Sequence, residues 1–90
     1  MFQKYLNKGK NKGKPSGGKE YQLGIDYIDV KFFGSEYIYR YSYNKTGKIH
    51  VENMKKYALD GEGLNSYIMK NARKQGLFDK ILWELFWVDV

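Results

Sequence analysis

Cysteine is absent from the sequence, which excludes disulfide bonds and thiolate metal sites. The only histidine, His50, cannot build a transition-metal site without further ligands of that kind, so we expect no metal and no other cofactor. No apolar run reaches the length of a membrane span, and the N-terminus lacks the apolar segment of a secretory signal. These absences predict a cytoplasmic protein that does not interact with membranes.

Acidic residues are absent from the first 19 positions, and the excess charge of the chain is concentrated there. Residues 1–19 carry six lysines, which equal the formal net charge of +6, whereas residues 20–90 carry ten basic and ten acidic side chains. The segment has little apolar area to offset the entropy of ordering, so we predict a flexible basic arm over residues 1–19. It is either a phosphate-seeking arm or a solubilising linker. Its lysines are Lys4, Lys8, Lys10, Lys12, Lys14 and Lys19.

The middle of the chain has the pattern of a β-hairpin. Apolar and polar residues alternate over residues 28–33, and every second residue of the stretch EYIYRYSY, residues 36–43, is tyrosine. Between these runs, Gly34 and Ser35 provide a turn. Residues 21–25 are a candidate third strand. The pattern therefore predicts a small antiparallel hairpin or a three-stranded sheet.

The four tyrosines share one face of the predicted strand, because successive side chains of a strand alternate between its faces. The opposite face, formed by Ile38, Arg40 and Ser42, would make a poor core. We therefore expect the tyrosines to point inward rather than to form an open stacking platform. The hydroxyls of the outermost pair, Tyr37 and Tyr43, are expected to rim a pocket.

Two helices are predicted after the hairpin. Apolar residues have helical spacing in the first at Val51, Met54 and Ala58, and in the second at Leu64, Tyr67, Ile68 and Ala72. The first helix is expected to end near Asp60 and Gly61. The second is expected to begin between residues 62 and 65 and to end at Gly76. The fold class expected is α+β, with the small sheet packed against two to three helices.

The C-terminal segment, residues 77–90, is strongly apolar and aromatic. We predict a third helix from its spacing, with a strand over Leu82 to Val90 as the alternative. Its large aromatic residues either complete the core or form an interface with a second copy or with a protein partner. These residues are Trp83, Phe86 and Trp87.

Three stretches of the body, VKFFGSEYIYRY, MKKYA and DGEGLNSYIMKNAR, resemble the KTSC family. That family is named for a module at the C-terminus of lysyl-tRNA synthetases and also occurs as small free-standing bacterial and phage proteins. The positions that carry the resemblance are Val30, Phe32, Tyr37, Tyr39, Ala58, Gly61, Asn65, Ile68 and Arg73. The resemblance marks residues 20–76 as the body of the domain. It implies a small α+β fold and no established chemistry.

The turn before the second helix, residues 60–66, is a candidate anion site. Two glycines allow close approach of a ligand to the backbone, and Asn65 and Ser66 offer side-chain donors. Asp60 and Glu62 would repel phosphate, and a tight turn without a ligand is the competing interpretation. A basic patch is also possible, since Lys70, Arg73 and Lys74 could meet Lys45 and Lys48, although a solvated helix face has the same pattern.

No set of histidine, carboxylate and nucleophile has the spacing of a catalytic site, so we do not expect an enzyme. We expect a binding module for a polyanionic ligand, either nucleic acid or a phosphate-bearing nucleotide. The alternative is a protein-interaction module, such as a phage-type inhibitor or a dimeric nucleotide sponge that acts on a host defence factor. Besides the arm lysines, the expected ligand contacts are Arg40, Lys48, Asn65, Ser66, Lys70, Arg73, Tyr37 and Tyr43.

Overall fold

The computed structural model describes residues 2–6, 18–73 and 75–82. It contains one sheet and one helical layer, which confirms the α+β class. The strands are β1 (Gln3–Lys4), β2 (Gly18–Leu23), β3 (Tyr27–Phe32), β4 (Tyr37–Ser42) and β5 (Asp79–Leu82). Two α-helices, α1 (Lys48–Asp60) and α2 (Leu64–Ile68), lie between β4 and β5, and a π-helix (Met69–Arg73) continues α2.

The sheet is an antiparallel meander in which each strand pairs with the next along the chain, in the order β1-β2-β3-β4-β5. The predicted hairpin is β3 and β4, and the predicted third strand is β2. At the hairpin turn Gly34 has a φ of 79°, which L-residues other than glycine rarely adopt. In addition, the Ser35 N–H donates to the Phe32 carbonyl at 3.2 Å. Because neighbouring strands of the meander are antiparallel, the end of β1 and the start of β2 lie at the same end of the sheet as the β3–β4 turn.

The tyrosine-bearing face of β4 points toward the core, as predicted. Tyr41 is only 1% exposed and belongs to the main apolar cluster, and Tyr39 packs against that cluster. The register places Val30 opposite Tyr39 and Ile28 opposite Tyr41, so the apolar residues of both strands share this face. The alternation of β4 therefore decides which side of the sheet the helices cover.

The helices cover this face with the stripes expected from their spacing. From α1, Val51, Met54 and Ala58 are buried, and from α2 and the π-helix, Leu64, Ile68 and Ala72 are buried. Helix α1 ends where expected, because Gly61 adopts a left-handed conformation and its N–H bonds the carbonyls of Tyr57 and Ala58. Of the helices in the described part of the chain, none combines the length and the apolar character that spanning a membrane requires.

The prediction of a flexible arm over residues 1–19 is wrong at both ends of that segment. Gln3 and Lys4 form β1, and Lys19 lies in β2. Tyr5 is 5% exposed and sits in the core, where its hydroxyl accepts a hydrogen bond from the Leu64 N–H at 3.3 Å. This aromatic anchor holds the first residues against the sheet. The predicted arm residues from 7 to 17, with Lys8, Lys10, Lys12 and Lys14, lie outside the described residues.

The prediction of a helix over residues 77–90 is wrong for Asp79–Leu82, which form β5 along the edge of β4. Backbone groups of β4 on that side need hydrogen-bond partners, and pairing with a strand satisfies a whole row of them. Leu77 and Phe78, just before β5, pack against the core. Residues 83–90, which include Trp83, Phe86 and Trp87, lie outside the described residues, so their role as core or interface stays a prediction.

We expect Met54→Ala in α1 to lower the free energy of unfolding by about 2–5 kcal/mol, because its fully buried side chain would leave a cavity. The matched control is Leu59→Ala on the same helix, where the side chain is 60% exposed and the change should be within about 0.5 kcal/mol. Urea unfolding followed by circular dichroism measures both. Equal losses for the two variants would contradict the position of the core described above.

Candidate ligand-binding cavity

A cavity of about 260 Å³ opens between the β3–β4 turn and the second helical segment. The strand side contributes an aromatic wall and the turn itself, whereas the helical side contributes four residues from α2 and the π-helix. The lining residues are Phe32, Phe33, Gly34, Ser35, Tyr39, Tyr41, Asn65, Ile68, Met69 and Arg73. The cavity thus combines aromatic, amide, hydroxyl and guanidinium groups from segments more than twenty residues apart in the sequence.

The helical wall is shaped by the change from α2 to the π-helix. This five-residue turn spans Met69–Arg73, and both of its end residues line the cavity. A guanidinium nitrogen of Arg73 donates to the sulfur of Met69 at 3.4 Å. Single π-helical turns are rare within α-helices and frequently occur at functional sites, because the wider turn changes the direction of side chains. Here that turn places a cation at the mouth of the cavity.

Tyr41 lines the cavity and carries a polar group at the end of its ring. Its side chain is almost completely buried and lines the cavity, and its hydroxyl has no hydrogen-bond partner within residues 2–6, 18–73 and 75–82. No side-chain polar atom of these residues is both fully buried and unpaired, so the hydroxyl must retain its accessible surface in the cavity. Burial raises the pKa of the Tyr41 hydroxyl and the nearby Tyr39 adds to the rise, whereas the positive charge of Arg73 opposes it. Tyr41 therefore offers a protonated donor close to a cation.

The aromatic wall is formed mainly by Phe32, Phe33 and Tyr39. The rings of Phe32 and Tyr39 meet edge to face, with centroids 5.3 Å apart and an interplanar angle of 87°. Phe78 supports Tyr39 from behind with its centroid at 5.1 Å. Phe33 is 39% exposed, and the Lys19 ammonium lies 5.8 Å from the centre of its ring. The wall is thus packed on the inside and accessible at Phe33.

Asn65 faces this wall from α2. It is half-buried, and its carboxamide makes no hydrogen bond to any residue that the structure describes. A carboxamide presents both donors and an acceptor, so it can form hydrogen bonds with a ligand edge that carries both.

Among the lining residues there is no histidine and no carboxylate, the groups that general acid–base catalysis most often uses. The arrangement is suited to binding a ligand that has a flat ring and an anionic group.

The cavity brings together only part of the predicted contact set. Asn65 and Arg73 line it, as expected. Tyr37 and Tyr43, which were predicted to rim a pocket, do not line this cavity, and the inner pair, Tyr39 and Tyr41, lines it instead. The Tyr37 ring lies at the β5 edge with the Lys80 ammonium 4.8 Å from its centre.

Arg40 lies on the opposite face of the sheet and does not belong to the cavity. Its guanidinium donates to both carboxylate oxygens of Asp29, at 2.7 and 2.9 Å, and stacks on the Tyr27 ring with 4.0 Å to the centroid. The hydrogen bonding of Arg40 to the Asp29 carboxylate raises the pKa of Arg40 against the opposing effect of burial. The predicted ligand contact is thus a structural ion pair.

Lys48 and Tyr43 lie at the other end of the sheet, beyond the C-terminal end of β4. The Tyr43 hydroxyl donates to a carboxylate oxygen of Glu52 at 2.6 Å, and this bond raises the pKa of Tyr43 and lowers that of Glu52. The ammonium groups of Lys48 and Lys55 lie 5.8 and 5.7 Å from the centre of the Tyr43 ring. These residues form a separate surface cluster. Lys45 is likewise paired, with Asp79, so it does not join Arg73 in a basic patch.

The candidate anion site at the start of the second helix is also not assembled as predicted. Helix α2 has only five residues, and the Leu64 N–H already donates to the Tyr5 hydroxyl. Ser66 and Lys70 are exposed and do not line the cavity. The competing interpretation, a tight turn, accounts for this segment, because Gly61 and Gly63 both adopt positive φ angles.

Several lining residues were missed in the sequence. Phe33 directly follows β3, but the sequence pattern was interpreted as a strand that includes it. Two adjacent aromatic residues before a glycine were a signal that one of them lies in the turn. Met69 carried no signal, because the π-helix that positions it is set by packing rather than by local spacing.

Comparisons with family models, with curated proteins and with solved structures find no match to this chain. The resemblance to the KTSC family therefore stays a prediction. Of the nine positions that carry it, five line the cavity: Phe32, Tyr39, Asn65, Ile68 and Arg73.

We expect Asp29→Ala to destabilise the protein by about 3 kcal/mol, because it leaves the partly buried Arg40 guanidinium without the partner on which its position depends. Asp79→Ala is the matched control, since it removes the partner of the half-exposed Lys45 and should cost less than about 1 kcal/mol. Thermal unfolding of the two variants measures the difference. Similar costs would mean that the Asp29–Arg40 pair behaves as an ordinary surface ion pair.

Proposed function

We propose that this protein is a non-enzymatic binding module for a phosphate-bearing ligand, either a nucleotide or a nucleic acid, and that the cavity is its binding site. The observation that carries the proposal is that Tyr41, whose hydroxyl has no partner among the described residues, and Arg73 line the same cavity. The hydroxyl keeps accessible surface there, so water can bond it in the free protein, and a ligand that supplies an acceptor can take the place of that water.

The chemistry of the Tyr41 hydroxyl and the Arg73 guanidinium indicates which kind of ligand group could bind to both. The Tyr41 hydroxyl stays protonated at neutral pH, because burial raises its pKa above the ordinary value for tyrosine. Arg73 is a cation with several donors and no acceptor. A ligand group that approaches both must accept hydrogen bonds and is favoured when it is negative, as the oxygens of a phosphate are. The aromatic wall next to it suits the base of the same nucleotide.

The lysine-rich segment is attached beside this site. The described residues that flank it are fixed in the sheet, since the Tyr5 N–H donates to the Lys19 carbonyl at 3.0 Å and Gly18 pairs with Phe32, which lines the cavity. The chain therefore leaves and re-enters the sheet at the end where the cavity lies. Lysines carried there would add attraction to phosphates that is independent of sequence.

We expect Arg73→Gln to weaken binding of a fluorescent oligonucleotide by about tenfold to a hundredfold, the range for loss of a charged hydrogen bond. Lys56→Gln is the control, because Lys56 is exposed on α1, does not line the cavity and carries the same charge. Fluorescence anisotropy titrations of the two variants measure the effect. Equal and small losses would show that only net charge matters and would overturn the cavity as the binding site.

We also expect the affinity for nucleic acid to fall steeply with salt, because bound lysines release counterions from the phosphates. Replacing Lys8, Lys10, Lys12 and Lys14 together by glutamine should reduce the slope of log K against log salt by about 0.7 to 0.9 for each lysine that contacts a phosphate. Titrations at several salt concentrations measure this slope. An unchanged slope would favour the interpretation of the segment as a solubilising linker.

A further inference from the structure

We infer that the aromatic half of the cavity takes one unpaired nucleobase, so that the protein selects single-stranded nucleic acid or a free nucleotide over base-paired duplex. This inference rests on the proposed function and names the ligand class of the same cavity. Its basis is the accessible aromatic surface at Phe33, the Asn65 carboxamide that bonds no described residue, and the dimensions of the site.

The size of the cavity limits what can enter. Sites for drug-sized ligands have volumes of roughly 300–1,000 Å³. With about 260 Å³, this cavity lies just below that range and suits one flat group with a short anionic extension. A groove that follows a double helix would be longer and open along its length. The volume therefore favours a single nucleotide unit.

The aromatic wall requires a base whose face is free. In a duplex both faces of each base are covered by its neighbours, so only base edges and the sugar–phosphate backbone are accessible. Phe33 lies in the β3–β4 turn and is the most exposed of the aromatic residues that line the cavity. Its ring can stack on a base only if that base has left a duplex or was never in one.

Asn65 lies opposite this wall with its donors and acceptor uncommitted to any described residue. The Watson–Crick edge of an unpaired base carries donors and acceptors side by side and can bond a carboxamide. In a duplex the complementary base occupies that edge. Phosphate binding does not require the acceptor of the Asn65 carboxamide, whereas an unpaired base can use both its donors and its acceptor.

Positive charge flanks the stacking surface on two sides. The Lys19 ammonium lies 5.8 Å from the centre of the Phe33 ring, and Arg73 lies on the helical wall. A strand with one base in the cavity would bring its neighbouring phosphates toward these two cations. A free nucleotide would use only Arg73, so the two sources of an unpaired base make different use of Lys19.

The test compares four probes with the full-length protein. They are a mixed-sequence single strand of about 12 nucleotides, the length range bound by single-strand modules, the same sequence as a duplex, nucleoside monophosphates, and inorganic phosphate. We expect the single strand to bind at least tenfold more tightly than the duplex. We expect Phe33→Leu to weaken that binding about tenfold, whereas Tyr57→Leu, which removes a similarly exposed ring outside the cavity, should change it less than twofold.

Phe33→Trp is the second variant, since it keeps a stacking face and adds a fluorophore; its quenching by a bound base is read as the difference from the unmodified protein, which already contains Trp83 and Trp87. Quenching by a monophosphate, with Lys19→Gln having no effect, would support the inference with a free nucleotide as the source. Tighter binding of the single strand that depends on Lys19 would support it with a strand as the source.

Two results would overturn the inference. One is that inorganic phosphate competes as well as a monophosphate does. The other is that duplex and single strand bind equally and that Phe33→Leu does not change their affinity. If Arg73→Gln still weakened binding in that case, the proposed function would stand, whereas no binding of any probe would overturn both.

Discussion

The burial of Tyr41 between the sheet and the helices is the interaction on which the core and the cavity both depend. Its ring belongs to the main apolar cluster, with Phe78 at 6.0 Å between centroids, while its hydroxyl keeps its accessible surface in the cavity. A tyrosine can do both because an apolar ring carries a polar group at its far end. Phenylalanine at this position would preserve the packing and remove the donor, so the contribution of Tyr41 to stability can be separated from its proposed contact with a ligand.

The two faces of the sheet have different roles, and together they specify one register. The helix-covered face is apolar, whereas the other face carries the Asp29–Arg40 pair and the Lys31–Glu20 pair. A shift of one residue would exchange the two faces and would bury these charges under the helices. Ion pairs of this kind need not add much stability, but they make alternative registers costly. The geometry of the cavity depends on this register, because its walls come from both β4 and the helical segment.

The position of the cavity also follows from the meander. The end of β1, the start of β2 and the β3–β4 turn lie at its end of the sheet, and the π-helix lines it from the helical side. The described residues that flank the lysine-rich segment therefore lie at the end of the sheet where the cavity opens. For the ligand proposed above, electrostatic attraction would act at long range and the shape of the cavity in contact.

The sequence by itself determined the elements that depend on local periodicity. These are the β3–β4 hairpin with its inward tyrosine face, the apolar stripes of both helices and the glycine end of α1. Of the predicted ligand contacts, Asn65 and Arg73 line the cavity, whereas Arg40 and Lys48 lie elsewhere on the molecule. The remaining features depend on contacts between segments that are distant in the sequence. The short strands β1 and β5 carry too few residues for a periodic signal and exist because β2 and β4 offer backbone partners. The π-helix and the cavity arise where side chains distant in the sequence meet, so no local pattern encodes them.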